Sequence, residues 1–388
     1  MVVVGGGIGG LAAALALIRI GREVVVLERA AGPADSGSGI TLFSNAMAAL
    51  DAIGAGRAVR TAGAPPPTGT NGLRTPDGRV LVDATSLPAA QDLYALHRSE
   101  LHRALRGLLP AGVLRTGAEV TGVRQHDESV VVEMAAGTRV EADLVVAADG
   151  LHSRIRAALH PRYPGPRYAG YTSWRGVTSG PVELGGVAGE TWGRGERFGV
   201  VPLRDGRVYW FAVANLPQNS RLEGHAEVRR RFGGWHPPIP ALLAATAPEA
   251  VLSLDICDLT LPLPPFAMGR VVLLGDAAHA MTPDLGQGAG QASEDAVVLA
   301  AALAREPTAA ALARYDAERR NRTERILRAA RRTGRLAQAQ GSAAVWLRTA
   351  LMRLTPPAIS LKMVERVTTW TPPNVPERSA PDPAGPWS

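Results

Sequence analysis

The amino-acid sequence predicts an α/β fold that carries an inserted antiparallel β-sheet and ends in helices. First, the start "MVVVGGGIGGLAAALALIRIGREVVVLERA" is typical of a strand, a glycine turn, a helix and a second strand. Second, from Tyr168 to about Asp258 the pattern changes to short strands separated by Gly, Pro and Asp turns. Third, the α/β pattern returns in "GRVVLLGDAAHAMTPDLGQGAGQASEDA". We therefore expect one α/β unit that is interrupted by a sheet.

The composition indicates a globular protein with room for two domains. The chain has 388 residues, of which 46% are hydrophobic. The opening residues lack a basic n-region and a small-residue cleavage pattern, so they are interpreted as folded structure rather than a signal peptide. The first predicted strand starts at Val2, so a few native N-terminal residues are expected to be missing. Cys257 is the only cysteine, which excludes an internal disulfide and favours a reducing cytoplasm.

The charge pattern does not favour nucleic acid. The net charge is +7, but the basic residues are scattered and Lys362 is the only lysine. The densest cluster, Arg319 to Arg335, has helical spacing and contains Glu324, so we interpret it as a solvated helix face. The histidines and carboxylates show no metal-ligand spacing, and no metal is expected.

The individual elements follow in order. The first unit predicts a strand over Val2 to Val4, a helix over Leu11 to Arg19 and a strand over Glu23 to Glu28. The stretch "HRSELHRALRGLL" predicts a helix, and "SVVVEMAAGTRVEADLVVAADG" predicts a hairpin leading into a buried strand that ends at Asp149. Helices are predicted from Gln287 to about Arg335. An amphipathic segment broken at Pro356 and Pro357 and an irregular tail follow. The amphipathic segment is expected to pack on the body, with attachment to a membrane surface as the alternative.

The first glycine turn has the spacing of a dinucleotide site. In Gly5-x-Gly7-x-x-Gly10 the first glycine permits the tight turn, the second lets a pyrophosphate approach, and the third lets helix and strand pack closely. The helix N-terminus offers free N–H groups to the phosphates. Glu28 ends the second strand, where its carboxylate can accept both ribose hydroxyls. Since a carboxylate disfavours a 2′-phosphate, the nucleotide is expected to be NAD-like or FAD rather than NADP.

Two further motifs narrow the choice of nucleotide. "DLVVAADGLHSRIR" places Asp149 at a strand end, and "GRVVLLGDAAHAM" places Asp276 in a similar position. Together with the glycine turn, these motifs resemble the single-component (class A) FAD-dependent aromatic hydroxylases similar to p-hydroxybenzoate hydroxylase, nearest to the urate/salicylate hydroxylase and zeaxanthin epoxidase-like branch. The resemblance implies an FAD-binding Rossmann-like domain of the glutathione-reductase type with an inserted substrate sheet. The expected FAD domain covers 1–72, 92–165 and 265–335, the substrate domain covers 73–91 and 166–264, and the C-terminal segment covers 336–388.

The resemblance also implies which residues hold a tightly bound FAD. Arg98 would reach the phosphates and the ribityl chain, and Asp276 would accept ribityl hydroxyls. A surface helix cap is the alternative for Arg98, whereas a helix N-cap role for Asp276 is compatible with the ribityl role. Asp149 would be mainly structural, with a role in nicotinamide binding left open. The full expected set is Gly5, Gly7, Gly9, Gly10, Glu28, Arg29, Thr41, Arg98, Val120, Asp149, Asp276, Pro283, Gly286, Gln287, Gly288, Ala289 and Gly290.

The stretch after Asp276 suits a flavin ring. Pro283 would supply a wall without an N–H, while the following glycines let backbone amides approach a planar group. The next helix would direct its N-terminus at the negative charge of reduced flavin. In the family NADH or NADPH reduces FAD, O2 adds to give a C4a-hydroperoxide, and one oxygen is transferred to the substrate. His279 is expected to be packed and hydrogen-bonded rather than a base.

The substrate is expected to lie against the inserted sheet. Arg197 and Tyr209 match in spacing an arginine and tyrosine pair in flavin-dependent urate hydroxylase, and are the expected catalytic residues. Such an arginine favours the anion of a phenolic or enolic substrate. A solvated Arg197 and a merely packed Tyr209 are the alternatives. Ser173 replaces an asparagine of that enzyme, and Arg175 replaces another neighbour, which argues against urate itself. Further substrate contacts are expected from Ser173, Arg175, Trp210 and Phe211.

The sequence therefore predicts an FAD-dependent monooxygenase that hydroxylates a small aromatic or heteroaromatic compound with NAD(P)H and O2. One alternative is an epoxidase for an alkene, with the amphipathic C-terminal segment as a lipid-facing lid. A flavin halogenase is disfavoured because no paired-tryptophan motif or lysine lies near the ring. A flavin-binding module without turnover is the remaining alternative. The substrate's identity, the preferred nicotinamide and the choice between monomer and homodimer stay open.

Overall fold

The computed structural model describes residues 1–32, 38–64, 70–84, 93–135, 137–220, 224–355 and 357–378. The strands are β1 (Val2–Val4), β2 (Val25–Glu28), β3 (Gly39–Leu42), β4 (Thr70–Arg74), β5 (Val80–Asp83), β6 (Tyr94–His97), β7 (Leu114–Thr116), β8 (Val120–Gln125), β9 (Val130–Met134), β10 (Arg139–Ala142), β11 (Val145–Ala147), β12 (Pro166–Val177), β13 (Val187–Trp192), β14 (Glu196–Pro202), β15 (Val208–Asn215), β16 (Leu252–Leu259), β17 (Ala267–Met268) and β18 (Val271–Leu273). The α-helices are α1 (Ile8–Arg19), α2 (Ser44–Ala52), α3 (Gly56–Ala62), α4 (Arg98–Arg106), α5 (Arg154–Leu159), α6 (Gly224–Phe232), α7 (Ile239–Ala244), α8 (Asp276–His279), α9 (Gly288–Leu303), α10 (Thr308–Ala337), α11 (Ser342–Leu354) and α12 (Pro357–Thr368), with 3₁₀ turns at Pro248–Ala250 and Pro283–Leu285.

A six-stranded sheet forms the centre of the α/β unit, with strand order β17-β18-β11-β1-β2-β7. The pairs from β18 through β7 are parallel, and β17 is antiparallel at one edge. All three residues of β1 are buried, because apolar helices cover the sheet. Gly9 lets α1 approach α9 closely, since a Cβ at this position would lie 3.1 Å from the Cβ of Ala292. The predicted βαβ unit is confirmed, although α1 begins at Ile8 and β2 at Val25.

The second large sheet has seven strands in the order β16-β12-β15-β14-β13-β4-β5. Its pairs are antiparallel except β4 with β13, which run parallel. The sheet is therefore mixed rather than purely antiparallel as predicted. Strand β4 begins at Thr70 and joins this sheet, so the strand crosses the predicted boundary at residue 72. The division into domains stays a prediction.

The two faces of the seven-stranded sheet have different neighbours, because successive side chains in a strand point in opposite directions. On the back face Trp174, Phe198 and Trp210 pack against helices α6 and α7 and form a separate core. On the front face Ser173, Arg175 and Phe211 point toward the α/β unit. The front face is the one that can contribute to a site between the two sheets.

The arginine-rich stretch of α10 is only partly a solvated face. Arg325 and Arg328 are exposed as predicted, but Arg319 is fully buried. The side chains of Arg322 and Arg331 are also largely covered, at 16% exposure each, and pair with Glu294 and Asp258. The interpretation of the whole cluster as solvated is therefore wrong, because part of it neutralises buried carboxylates.

The C-terminal segment folds as the separate helices α11 and α12. Helix α11 exposes a group of large apolar side chains, with Trp346 at 71% and Leu354 at 80% exposure. In the part of the chain that the structure describes, no helix is both long enough and apolar enough to cross a membrane.

Candidate active site

The first glycine turn has the geometry that a bound pyrophosphate requires. Gly5 has a φ of 104°, and a Cβ there would lie 2.4 Å from the carbonyl oxygen of Ala148. A Cβ at Gly10 would lie 1.9 Å from the carbonyl oxygen of Gly5, so both positions need glycine for the fold itself. Gly7 has no described atom within 4 Å of its ideal Cβ position and faces open space. The free space at Gly7, directly before the N-terminus of α1, fits the close approach of phosphates.

Glu28, the residue predicted to bind the ribose of FAD, has a carboxylate that is held by the backbone. Its Oε2 accepts a hydrogen bond of 2.6 Å from the N–H of Gly6, and its Oε1 accepts one of 2.8 Å from the N–H of Ala30. These bonds fix the carboxylate, and each oxygen retains a lone pair for a ribose hydroxyl. Arg29 is exposed beside it. The arrangement is compatible with the predicted adenosine contacts, which stay predictions.

Most of the predicted cofactor residues line one cavity of about 480 Å³ between the α/β unit and the front face of the sheet. Predicted cofactor residues on its wall are Gly7, Gly9, Thr41, Arg98, Asp276, Pro283, Gly286, Gln287, Gly288 and Ala289. The other predicted residues do not line it: Gly5, Gly10, Glu28, Arg29, Val120, Asp149 and Gly290. Asp149 instead accepts a hydrogen bond of 3.2 Å from the N–H of Ile155 at the start of α5, which agrees with a structural role.

The turn before α9 forms the floor of this cavity. Pro283–Leu285 is a 3₁₀ turn, and Gly286 follows it with a φ of 62°. Gly288 has no described atom within 4 Å of its ideal Cβ position, so the N-terminal turn of α9 faces free space. A planar ring could therefore lie against this backbone, with the positive end of the helix dipole at its negative edge. The residues present fit FAD.

Tyr209 points into the cavity from β15. It forms no hydrogen bond through its hydroxyl to any residue that the structure describes, and burial raises the pKa of that hydroxyl despite the nearby charges of Arg175 and Arg98. Gly39 of β3 lies directly against its ring, since a Cβ on Gly39 would fall 2.4 Å from Cγ of Tyr209. The α/β unit thus fixes the position of a side chain on the opposite sheet.

Gly39→Ala is expected to lower kcat/KM about tenfold, because the added methyl group must displace the ring of Tyr209. The flavin content of the purified protein should stay normal, and both quantities are measured on the same preparation. Gly180→Ala is the control, since no described atom lies within 4 Å of its ideal Cβ position. A normal kcat/KM in Gly39→Ala would contradict the fixed ring position.

Arg197 is a buried cation with bound partners rather than a free one. Its Nη2 donates a hydrogen bond of 2.5 Å to Oδ1 of Asp284, and Oδ2 of Asp284 accepts 2.6 Å from the Tyr171 hydroxyl. Glu190 lies 3.7 Å from Nη1 of Arg197. Burial would lower the pKa of Arg197, but Glu190 and Asp284 outweigh it and raise the pKa. Arg197 ties the sheet to the turn below the flavin site, so the alternative of a solvated Arg197 is wrong.

Arg175 is the sheet-face arginine without an anionic partner among the described residues. It lines the cavity beside Ser173, and its Nε is buried with no hydrogen-bond acceptor. A ligand oxygen at this point would meet an uncompensated positive charge. Cys257 lies half-buried on the same wall.

The structure corrects the prediction for Trp210. Its side chain points to the back of the sheet, is 0% exposed, and donates a hydrogen bond of 2.8 Å from Nε1 to Thr246. Tyr209 and Phe211 face the cavity, and the residue between them must face away. Trp210 therefore cannot contact a substrate in this cavity. The alternation of side chains along a strand would have been enough to predict this from the sequence.

A buried network behind the flavin-side turn was missed in the sequence. Arg319 pairs with Glu294 at 2.5 Å and Asp295 at 2.6 Å, and all three are 0% exposed at the side chain. Glu294 in turn accepts a hydrogen bond of 2.7 Å from Asn45, whose amide also reaches Gln287 at 2.9 Å. The network therefore orients Gln287, the residue directly before α9.

His279 belongs to the same network. Its Nε2 lies 2.5 Å from Oδ2 of Asp295, and the ring is 1% exposed. Burial would raise the pKa of Asp295, but His279 and Arg319 outweigh it and lower the pKa to about 2. The packed, hydrogen-bonded role predicted for His279 agrees with this position. No group of three or more potential metal ligands occurs within the described ranges.

Comparison with known proteins places these observations in a family. Residues 1–330 match the family model described as "FAD binding domain". The chain is 41% identical to aurachin C monooxygenase/isomerase of Stigmatella aurantiaca, over 91% of this chain and 94% of that protein. It is 34% identical to 2-heptyl-3-hydroxy-4(1H)-quinolone synthase of Pseudomonas aeruginosa strain UCBPP-PA14, over 94% of this chain and 96% of that protein.

A solved structure agrees. Klebsiella pneumoniae HpxO in complex with FAD and uric acid superposes with a TM-score of 0.86 at 29% identity, covering 94% of this chain and 96% of that one. The predicted FAD-dependent hydroxylase is confirmed, and the epoxidase and non-turnover alternatives are not favoured. The chain belongs to the FAD binding domain family and is an FAD-dependent monooxygenase of the aromatic hydroxylase class.

Proposed function

We propose that the ring hydroxylated by this enzyme is a mostly apolar heteroaromatic bicycle of the 4(1H)-quinolone type. The observation that supports this most directly is the composition of the sheet-side wall. On this wall Phe211, Val213, Leu254 and Ile256 supply apolar surface, and the uncharged or unpaired polar groups are Ser173, Arg175 and Tyr209. The charged residues Glu190, Arg197 and Asp255 also line the cavity, but each has a polar partner within the protein. A planar ring with one polar edge would suit this wall. Urate, which carries polar groups around its whole perimeter, would leave several of them unpaired.

The relatives support the same substrate class. One relative is named as a 4(1H)-quinolone synthase, and its match covers 94% of this chain. Another is named as aurachin C monooxygenase/isomerase, and its match covers 91% of this chain. The urate hydroxylase of Klebsiella pneumoniae is 33% identical over 85% of this chain. Ser173 and Arg175 also depart from the residues expected for urate.

The proposed mechanism assigns separate tasks to the residues around the ring. Bound FAD supplies the redox chemistry, through which NAD(P)H, H⁺ and O2 convert the substrate C–H into C–OH with release of NAD(P)⁺ and water. The hydroxyl of Tyr209 would donate a hydrogen bond to the ring oxygen, and Arg175 would stabilise negative charge on that oxygen. This charge makes the adjacent carbon more nucleophilic. Arg197 would act through Asp284 by holding the turn at Pro283 in place.

A substrate screen tests the proposal. Oxidation of NADH and of NADPH by the FAD-loaded enzyme is followed with 4(1H)-quinolone, 2-heptyl-4(1H)-quinolone, urate and 3-amino-4-hydroxybenzoate. We expect the quinolones to accelerate the oxidation and to gain one oxygen atom in the product mass. Acceleration by urate but by neither quinolone would overturn the proposed substrate class.

Tyr209→Phe is expected to lower kcat/KM for the quinolone about tenfold, the value of one well-placed hydrogen bond. Thermal stability should not fall, because this hydroxyl has no partner among the described residues. Tyr168→Phe is the matched control: its hydroxyl donates 2.7 Å to the carbonyl of Leu216, away from the cavity. The control should lose stability and keep kcat/KM. The opposite pattern would exclude Tyr209 as a substrate contact.

A further inference from the structure

A second cavity of about 370 Å³ lies beside the main one and is here named the apolar chamber. Val201, Phe211, Pro283 and Gly286 line both spaces. These residues belong to the sheet face and to the turn below the flavin site. A molecule that lies against the front face of the sheet is therefore positioned to extend into the chamber.

The walls of the apolar chamber favour an uncharged occupant. The apolar residues that line the chamber but not the main cavity include Phe43, Leu93, Pro202, Leu285, Val364 and Val367. Asp284 also touches it, but this carboxylate is neutralised by Arg197 at 2.5 Å. Glu190 accepts a hydrogen bond of 2.7 Å from Trp192. Both carboxylates thus have polar partners, and no arginine, lysine or histidine is among the described lining residues. The chamber therefore offers mainly apolar surface.

Hydrogen bonds to the backbone of α12 hold that helix at the wall of the chamber. Arg322 donates 3.1 Å to the carbonyl of Val367, and the hydroxyl of Ser44 donates 3.3 Å to the carbonyl of Thr368. Arg322 is itself fixed by an ion pair of 2.6 Å with Glu294. The backbone of this wall is therefore held by polar contacts, and Val364 and Val367 can present their side chains to a ligand.

We infer that the apolar chamber binds an apolar chain carried by the substrate ring. This inference rests on the proposed function, because the ring must lie against the sheet face for its chain to reach the chamber. The volume of about 370 Å³ has room for an alkyl chain of several carbon atoms. Such a chain would orient the ring as well as add affinity, since it fixes which ring edge meets Tyr209 and Arg175.

A homologous series of ligands tests the inference. The Kd of 2-alkyl-4(1H)-quinolones with one to nine chain carbons is measured on the oxidised FAD-loaded enzyme from the change in flavin absorbance. We expect the Kd to fall about fourfold per methylene until the chamber is filled. Val364→Trp should remove this gain for long chains and leave the methyl compound unchanged. Glu365→Trp, exposed on the same helix, should behave like the parent protein.

The outcomes separate the inference from the proposed function. A Kd that does not depend on chain length, or an equal loss for all ligands in Val364→Trp, would overturn the chamber while the ring assignment stands. If no quinolone changes the flavin spectrum, the ring assignment fails. The chamber is then tested with 1-nonanol, which should raise the melting temperature of the parent protein and not that of Val364→Trp. An equal response of both proteins would overturn the inference.

Discussion

Arg319→Met is expected to lower the free energy of unfolding by about 3–5 kcal/mol, because it removes the cation that the two buried carboxylates of Glu294 and Asp295 share. Methionine keeps the approximate length of the side chain, so the loss of charge dominates over the loss of volume. Urea unfolding of the FAD-loaded protein, followed by circular dichroism at neutral pH, measures the change. The same variant should bind FAD less well, since Glu294 also holds the amide that positions Gln287.

The effect of Arg319→Met on the free energy of unfolding should depend on pH. In the folded protein the pKa of Asp295 is lowered from 3.8 to about 2. Its contribution to stability is therefore present above about pH 4 and is lost as the pH falls toward 2. In Arg319→Met acidification instead relieves the excess negative charge at Glu294 and Asp295 by protonating these carboxylates. The difference in stability between the two proteins should shrink as the pH is lowered from neutral.

A matched arginine on the same helix is the control. Arg328 pairs with Glu324 at 2.6 Å, but its side chain is 47% exposed. Arg328→Met should change the free energy of unfolding by less than about 1 kcal/mol. Equal effects of the two substitutions would show that burial of the Arg319 network does not determine its contribution.

Gly7→Val is expected to weaken FAD binding by more than about a hundredfold while the apoprotein melts normally, because the pyrophosphate must approach this backbone closely. No described atom lies within 4 Å of the Cβ position, so the folded chain itself tolerates a side chain there. The flavin content after purification and a titration of the apoprotein with FAD measure the effect.

The control for Gly7→Val is Gly234→Val, a glycine with equally free surroundings outside the cavity. It should bind FAD like the parent protein. Gly10→Val should differ from both, because its Cβ would collide with the carbonyl oxygen of Gly5 at 1.9 Å and the apoprotein itself should lose stability. Normal FAD affinity in Gly7→Val would place the pyrophosphate elsewhere.

The features that the sequence predicted well are local in the chain. The spacing of Gly5, Gly7 and Gly10 encodes a turn within a few residues, and the alternation of short strands and turns encodes a sheet without reference to distant residues. The return of the α/β pattern near Val271 likewise follows from the residues beside it. These signals were sufficient for the fold class and for FAD as the cofactor.

The features that the sequence did not predict depend on partners far apart in the chain. The pairing of Arg319 with Glu294 and of Arg197 with Asp284 is set by how helices and sheets pack, which no spacing rule describes. The assignment of Trp210 is a different error, because the alternation of a single strand was enough to place it on the back face.

Cys257 offers a practical advantage that follows from its position. It is the only thiol in the chain, and it lies on the wall of the main cavity. A thiol-reactive fluorophore or nitroxide would therefore label a single position beside the site without any engineered substitution. Burial raises the pKa of this thiol, so labelling should be faster in mildly alkaline solution. The native protein thus carries its own attachment point for a reporter of ligand entry.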